Sequence, residues 1–278
     1  MMRAPSALMY EGPGPFTADD VRPGSRYELH DGHPIYCAPT GGDGARSTIA
    51  GAEVLDTDPA VEEAGVDAGY TPERRMLRGP DVAVGNVPDK LGWIPGVPPL
   101  AVEYASIGQD EDSLQLKIGD FLAAGTRHVW VVRLVGPRRV EVYERDRPVR
   151  TLGPGEELSA PGILKNTVPV EALYDRRAAH EVTLRNLLQR RGYENLDAVL
   201  EEGRKEGAAE GRKEGVAEGR KEGVAEGRAA AVLAVLDARG VAAPESERAR
   251  ILACRDLPQL DAWLRRAASA NAITDVLG

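Results

Sequence analysis

Three charged residues in this sequence stand among apolar neighbours. Asp81 lies in the short apolar run 80–84, and Glu103 interrupts the run 100–105. Burying a carboxylate in such a segment is costly unless the carboxylate is paired or binds a cation. Lys117 follows in a segment with the spacing of a helix. Two carboxylates and a lysine are the groups that metal-assisted hydrolysis of a phosphodiester bond requires.

Each of these residues has a candidate role in that chemistry. Mg²⁺ (or Mn²⁺) prefers oxygen ligands and often takes only one or two carboxylates from a protein, so Asp81 and Glu103 are the candidate metal ligands. Lys117 would either stabilise the phosphate in the transition state or orient the attacking water. Glu28 is a fourth candidate, able to extend the metal site or to orient a ligand. The alternatives are that Lys117 only covers apolar neighbours at a helix edge and that Glu28 faces solvent from a strand.

The apolar pattern predicts the strands that would carry these residues. Asp31 and Gly32 stand between two short apolar stretches, which predicts a β-hairpin carrying Glu28. Asp31 itself is assigned to the turn rather than to chemistry. Residues 87–99 form a loop rich in proline and glycine. Further strands are predicted over residues 81–84, 100–105, 128–134 and 139–143.

A helix should connect the strands at 100–105 and 128–134. Asp110 and the acidic residues after it are typical of a helix start, and Gly125 is typical of a helix end. Lys117 lies at the border of the buried stripe formed by Leu114, Ile118, Phe121 and Leu122. Strand, helix and strand in this order predict a right-handed parallel crossover, with antiparallel hairpins at the sheet edges. A second helix is expected over 45–55. The fold class is therefore α/β.

The C-terminal part has a different pattern. We predict three regions: a first domain over 1–178, a repeat segment over 179–230 and a small helical bundle over 231–278. From 201 to 228 the chain repeats Glu-Gly-Arg-Lys-Glu-Gly-(Ala/Val)-Ala, with a glycine at every fourth position. Each glycine costs a helix about 1 kcal/mol relative to alanine. The repeat is either a long helix that approaches another helix closely or a solvated, partly helical linker.

Composition limits the classes of function. No segment has the apolar length of a membrane span, and residues 1–16 contain no apolar stretch of signal-peptide length, so a cytoplasmic protein is expected. Cys37 and Cys254 are expected to be buried thiols rather than a disulfide or a metal site. Most of the net charge of −9 lies before residue 181, which disfavours strong nonspecific binding to DNA. The best candidate basic cluster has a solvated hairpin as its alternative and contains Arg133, Arg138, Arg139, Arg145, Arg147 and Arg150.

The ordered motifs resemble a known family. They are Tyr-Glu-Leu-His-Asp-Gly at 27–32, Pro-Asp-Val-Ala-Val at 80–84, Leu-Ala-Val-Glu at 100–103, Lys117, and Ala-Gly-Thr-Arg-His-Val-Trp-Val-Val at 124–132. Together they are similar to the Uma-type putative restriction endonuclease family, a branch of the PD-(D/E)XK nuclease superfamily. The resemblance covers roughly residues 20–175.

The resemblance implies a restriction-endonuclease-like mixed sheet flanked by helices and a Mg²⁺-dependent active site. Asp81 and Glu103 match the two acidic metal ligands of the family, and Glu28 matches its early glutamate. The superfamily's lysine usually stands two residues after the second acid, where this chain has Ala105; Lys117 matches its position on the following helix. The chain departs from the family at 104–108, which lacks Ser-Pro-Ser, and at 40–60, which lacks a histidine at the helix start.

Two functions are therefore considered. The first is a Mg²⁺-dependent endonuclease that cleaves DNA with metal-activated water, through Asp81, Glu103, Lys117 and Glu28. The alternative is a catalytically inactive nuclease-like module that acts in assembly or partner binding through its helical tail. In either case we expect a homo-oligomer formed through the tail, which is loosely similar to tails of transposase-associated bacterial proteins, and no membrane partner.

Overall fold

The computed structural model describes residues 14–278, and the chain divides into two compact units, 1–196 and 197–278. Residues 1–13 lie outside the described part. The expectation that residues 1–16 do not form a signal peptide therefore concerns mostly residues that the structure does not describe. The first unit has short 3₁₀ helices at Ala18–Asp20 and Val170–Leu173. Its other elements are β1 (Tyr27–His30), β2 (His33–Tyr36), α1 (Gly42–Asp56), β3 (Ala64–Val66), β4 (Tyr70–Thr71), β5 (Val82–Val84), β6 (Ile94–Pro95), β7 (Leu100–Ala105), α2 (Glu111–Ala124), β8 (His128–Arg133), β9 (Arg139–Tyr143), β10 (Arg150–Leu152), β11 (Glu157–Leu158), β12 (Val168–Pro169) and α3 (Arg176–Arg190).

A six-stranded mixed sheet forms the centre of this unit, in the order β10-β9-β8-β7-β5-β3. Strands β7 and β8 are parallel and are connected through α2, as the crossover pattern predicted. Their neighbours in the sheet pair antiparallel. The predicted hairpin β1–β2 forms a separate two-stranded sheet, with Asp31 at φ 45° and Gly32 at φ 77° in its turn. The α/β fold class is confirmed.

The sheet separates two apolar layers, and its alternation decides which side each residue of β7 faces. Leu100, Val102 and Tyr104 belong to the larger core, together with residues of α1 and α3. Ala101 and Ala105 belong to the smaller core, with the apolar stripe of α2. Since side chains alternate along a strand, Glu103 faces α2.

The boundaries of α2 follow from its sequence. The Asp110 side chain accepts a hydrogen bond from the Ser113 amide at 2.9 Å, which caps the first turn. Gly125 ends the helix in the left-handed conformation, at φ 115°, which costs glycine little. Leu114, Ile118 and Phe121 are buried, as the helical spacing predicted.

The predicted second helix is present as α1, and α3 packs against it in an unexpected way. For the segment 171–191, leucine spacing predicts a packing face of Leu173, Leu184, Leu187 and Leu188. Leu173 is buried but precedes α3, and on α3 Leu184 and Leu187 are about half exposed. The residues of α3 that are buried are instead Ala179, Val182, Thr183 and Asn186.

Polar contacts join α3 to the end of α1. The Asn186 amide donates to the Val54 carbonyl at 3.1 Å. The Arg190 guanidinium donates to four carbonyl oxygens at or just beyond the last residue of α1, those of Asp56, Thr57, Asp58 and Val61. Carbonyls at a helix end have no partner within the helix, so α3 supplies one.

Three smaller expectations were wrong. The loop 87–99 contains the short strand β6, which pairs in parallel with β4. Both cysteines are free, as expected, but Cys37 is exposed and Cys254 is half-buried. The sequence predicts Asn271 as the cap of the last helix, whereas Ile273 is the N-cap and the backbone amide of Asn271 donates to Asp275.

The second unit consists of helices. They are α4 (Leu196–Ala238), α5 (Glu245–Ala253), α6 (Leu257–Ala267) and α7 (Thr274–Leu277). The end of α4 packs with the three short helices around Leu236, Ile251, Leu260 and Trp263. The whole repeat lies within α4 as one continuous helix. Among the described residues, none lies within 4 Å of the position that a Cβ would take at any of its glycines.

No helix in the described residues combines the length and the apolar character that crossing a bilayer requires.

Candidate active site

The two predicted metal ligands lie on neighbouring strands. Val82 of β5 pairs with Val102 of β7 in antiparallel register, so the next position along places Asp81 opposite Glu103. Directly opposed residues of an antiparallel pair point to the same side of the sheet. The Tyr104 amide donates to Oδ2 of Asp81 at 2.6 Å and fixes that carboxylate at the end of its strand.

Lys117 comes to this point from α2. Its Nζ lies 2.9 Å from Oε1 of Glu103 and 3.1 Å from Oε1 of Glu28. The side chains of Lys117, Glu28 and Glu103 are 14%, 13% and 9% exposed, so the cluster reaches solvent at its edge. Three elements distant in sequence therefore bring Glu28, Glu103 and Lys117 together, with Asp81 beside them.

Glu28 is held ionised by its partners. Burial alone would raise the pKa of this carboxyl, but the charges of Lys117 and Arg78 hold it below its ordinary value. Its Oε1 accepts from the Gly79 amide at 3.2 Å, and its Oε2 accepts from Arg78 at 3.1 Å. Both oxygens of Glu28 are thus engaged within the protein.

Asp81 and Glu103 are in the opposite situation. Burial, together with the charges of Asp81 and Glu28, raises the pKa of Glu103 to about 8 against the attraction of Lys117. Burial also raises the pKa of Asp81. Lys117, surrounded by three carboxylates, has its pKa raised and stays protonated. The single ammonium group of Lys117 therefore does not balance the three carboxylates that act on it.

Two residues that the sequence did not single out complete the cluster. Arg78 is buried and donates to Oδ2 of Asp120 from Nε at 2.8 Å and from Nη2 at 2.5 Å. His30 Nδ1 lies 2.9 Å from the same oxygen. The available signals were the position of Arg78 three residues before Asp81 and the position of Asp120 one helical turn after Lys117.

The cluster has more carboxylates, those of Glu28, Asp81, Glu103 and Asp120, than permanent cations, Arg78 and Lys117. Because Arg78 engages Glu28 and Asp120, Asp81 and Glu103 are the two carboxylates that would hold a hard cation. Among the described residues, no group of three or more His, Cys, Asp or Glu side chains is arranged to hold a metal ion. A cation held by Asp81 and Glu103 would therefore complete its shell with backbone oxygen, water or substrate, as Mg²⁺ commonly does.

The candidate basic cluster is largely neutralised. Glu141 pairs with Arg133 and Arg139, and Glu144 pairs with Arg147 and Arg150. These pairs favour the alternative of a solvated hairpin with mixed charge.

The mixed sheet with flanking helices and this acidic cluster have the architecture of a nuclease-like α/β protein. Residues 16–171 match the model of the Uma2 family, described as "Putative restriction endonuclease". Since the match covers more than half of the chain, the chain belongs to this family, and the resemblance seen in the sequence is confirmed.

Solved structures agree with the fold. One similar structure is described as a putative nuclease belonging to DUF820 from Anabaena variabilis ATCC 29413. It is 16% identical, its TM-score is 0.50, and the alignment covers 58% of this chain and 98% of that chain. At this identity the likeness shows the fold alone. No curated protein matches the chain.

Proposed function

We propose that this protein is a Mg²⁺-dependent (or Mn²⁺-dependent) endonuclease that hydrolyses phosphodiester bonds of DNA. The observation that carries the proposal is the meeting of Asp81, Glu103 and Lys117 on one side of the sheet, with Lys117 Nζ 2.9 Å from Glu103. A structural ion pair needs one carboxylate for one lysine. Here Lys117 has three carboxylates acting on it, and two of them have raised pKa values.

Each residue has a role that follows from its contacts. Asp81 and Glu103 would hold the cation, which when bound supplies Lewis acidity and a water molecule of lowered pKa. Lys117 keeps a positive charge beside the reacting phosphate, where negative charge grows in the transition state. Glu28 orients Lys117, since both of its oxygens are already bound to protein donors.

The choice of DNA rests on the family description, a restriction endonuclease. The acidic first unit and the neutralised arginines indicate that affinity does not come from a broad basic surface. Cleavage should therefore need the divalent cation to offset the charge of both the site and the phosphate.

The test is nicking of supercoiled plasmid by the full chain with Mg²⁺, with Mn²⁺, and with EDTA. Asp81→Asn and Lys117→Met should abolish nicking. Glu141→Gln, which removes a carboxylate from the same sheet but outside the cluster, should keep it. Equal nicking by all variants would mean that another site or a contaminant is responsible.

A folded wild-type protein that neither cleaves DNA nor binds a divalent cation in calorimetry would reject the proposal. That result would favour the alternative of an inactive module acting in assembly.

We also propose that the tail forms a homo-oligomer through α4. Among the described residues, 201–224 include no buried side chain, and Val216 and Val224 are 71% and 40% exposed. A helix with this many glycines is poorly stable alone, and its repeat carries equal numbers of acidic and basic residues, which complements a second copy. Sedimentation equilibrium should show oligomers that are lost on deleting 201–278. A monomer at all concentrations would reject this.

A further inference from the structure

The inference concerns the buried pair Arg78–Asp120. The Arg78 side chain is 2% exposed, and its guanidinium contacts Asp120 through two nitrogens and Glu28 through the third. Removing two opposite charges from water is expensive, and hydrophobic residues of similar volume often do as well for stability. Stability alone therefore does not account for charges at this position.

The contacts of Arg78 lead to the site by two routes. Through Glu28, Arg78 holds the carboxylate whose other oxygen faces Lys117 at 3.1 Å. Through Asp120, it holds α2, the helix that carries Lys117 one turn earlier. Arg78 also lies three residues before Asp81, on the segment that precedes β5. The pair thus connects the segment of one proposed metal ligand with the helix of the proposed cationic group.

We propose that Arg78 and Asp120 are positioning residues that fix Lys117 through Glu28 and through α2. The expected change in kcat rests on the proposed function, whereas the positioning of Lys117 does not. Without Arg78, Oε2 of Glu28 has no cationic partner, and apart from Lys117 itself only the Gly79 amide still holds the carboxylate in place. Lys117 then has a more weakly held carboxylate beside it and moves more widely.

The experiment compares variants of the full chain with a matched control. Arg133 is a similar arginine: its side chain is 14% exposed, and it also pairs with two carboxylates. These are Glu111, nearly two turns before Lys117 at the start of α2, and Glu141 on β9, and neither forms an ion pair with Lys117. Arg78→Met and Arg133→Met each remove one arginine that pairs with two carboxylates. Asp120→Asn and Arg78→Lys test the pair more gently and remain available should Arg78→Met not fold.

Two readouts are measured. The first is DNA cleavage, separated into kcat and KM, together with Mg²⁺ affinity from calorimetry. We expect Arg78→Met to lower kcat roughly ten- to a hundred-fold relative to Arg133→Met, because misplaced catalytic groups lose this much. KM and Mg²⁺ affinity should change little, and Arg78→Lys should restore part of the loss.

The second readout does not depend on activity. Acetic anhydride labelling, followed by mass spectrometry, gives the reactivity of Lys117 relative to that of the exposed Lys165. The ratio should rise in Arg78→Met and Asp120→Asn and stay at the wild-type level in Arg133→Met.

Equal ratios in the Arg78 and Arg133 variants would overturn the positioning role, and so would equal kcat values in an active protein. If the wild-type protein does not cleave DNA, the proposed function fails, and the labelling ratio still decides whether the pair fixes Lys117.

Discussion

Replacing Glu103 by glutamine should stabilise the metal-free protein at alkaline pH while removing activity. The pKa of Glu103 is raised from its ordinary value of 4.5 to about 8. Between these two values the folded protein keeps a proton that the unfolded chain releases. Stability therefore falls as pH rises through this window, because unfolding releases a proton that burial beside Asp81 and Glu28 holds on Glu103.

The size of the effect follows from the same two values. At about 1.4 kcal/mol per tenfold change in proton affinity, the raised pKa of Glu103 lowers the free energy of unfolding by about 4 kcal/mol at pH 8 and by about 1 kcal/mol near pH 5.5. Glutamine avoids this cost but attracts Lys117 less strongly. We therefore expect the free energy of unfolding to rise by about 1 to 4 kcal/mol at pH 8, with little change near pH 5.5.

The assay is urea unfolding of the full chain in EDTA at both pH values. Glu141→Gln is the control with the opposite sign. Although burial acts to raise it, the pKa of Glu141 is lowered overall by Arg133, so losing this carboxylate should destabilise the protein at pH 8. If Glu103→Gln destabilises the protein at pH 8 as Glu141→Gln does, the cluster has no excess of negative charge, and the argument for a bound cation fails.

Three further outcomes are expected. Mg²⁺ should raise the melting temperature of the wild-type protein at pH 8 but not that of Asp81→Asn, measured by calorimetry; equal shifts would place the cation elsewhere. Gly51→Ala should cost about 1–3 kcal/mol in urea unfolding, because its Cβ would collide with the Tyr104 hydroxyl, which donates to the Leu173 carbonyl. Gly207→Ala, which meets no neighbour among the described residues, should instead strengthen α4 by about 1 kcal/mol and raise helical circular dichroism; a loss of helix would show that a partner occupies this position.

The sequence indicated most of the site because charge in an apolar strand is a strong local signal. Glu28, Glu103 and Lys117, all named from the motifs, lie in contact. Arg78 and Asp120 were not found because a charged residue in a loop or on a helix usually faces solvent, and no local pattern marks either for burial. Only the folded chain shows that the two are buried against each other.

In the fold as well, some features follow from local sequence patterns and others do not. The crossover through α2 was predictable because apolar spacing, an acidic cap and a terminal glycine agree. The packing face of α3 was not, because the spacing of its leucines does not mark its buried side. The buried residues of α3 include Asn186, whose side chain hydrogen-bonds the Val54 carbonyl. Apolar spacing does not register this kind of contact.

The arginine at the end of α3 also sets the smallest fragment of this chain worth isolating. The family match stops at residue 171, yet four main-chain oxygens after α1 rely on a side chain at position 190. A fragment that ends at residue 171 would lack α3. Those oxygens would then lose Arg190 as a donor, and the side of α1 that packs against α3 would be exposed to water. Dissection of the two halves should therefore cut after Arg190, so that a loss of folding is not mistaken for a loss of catalysis.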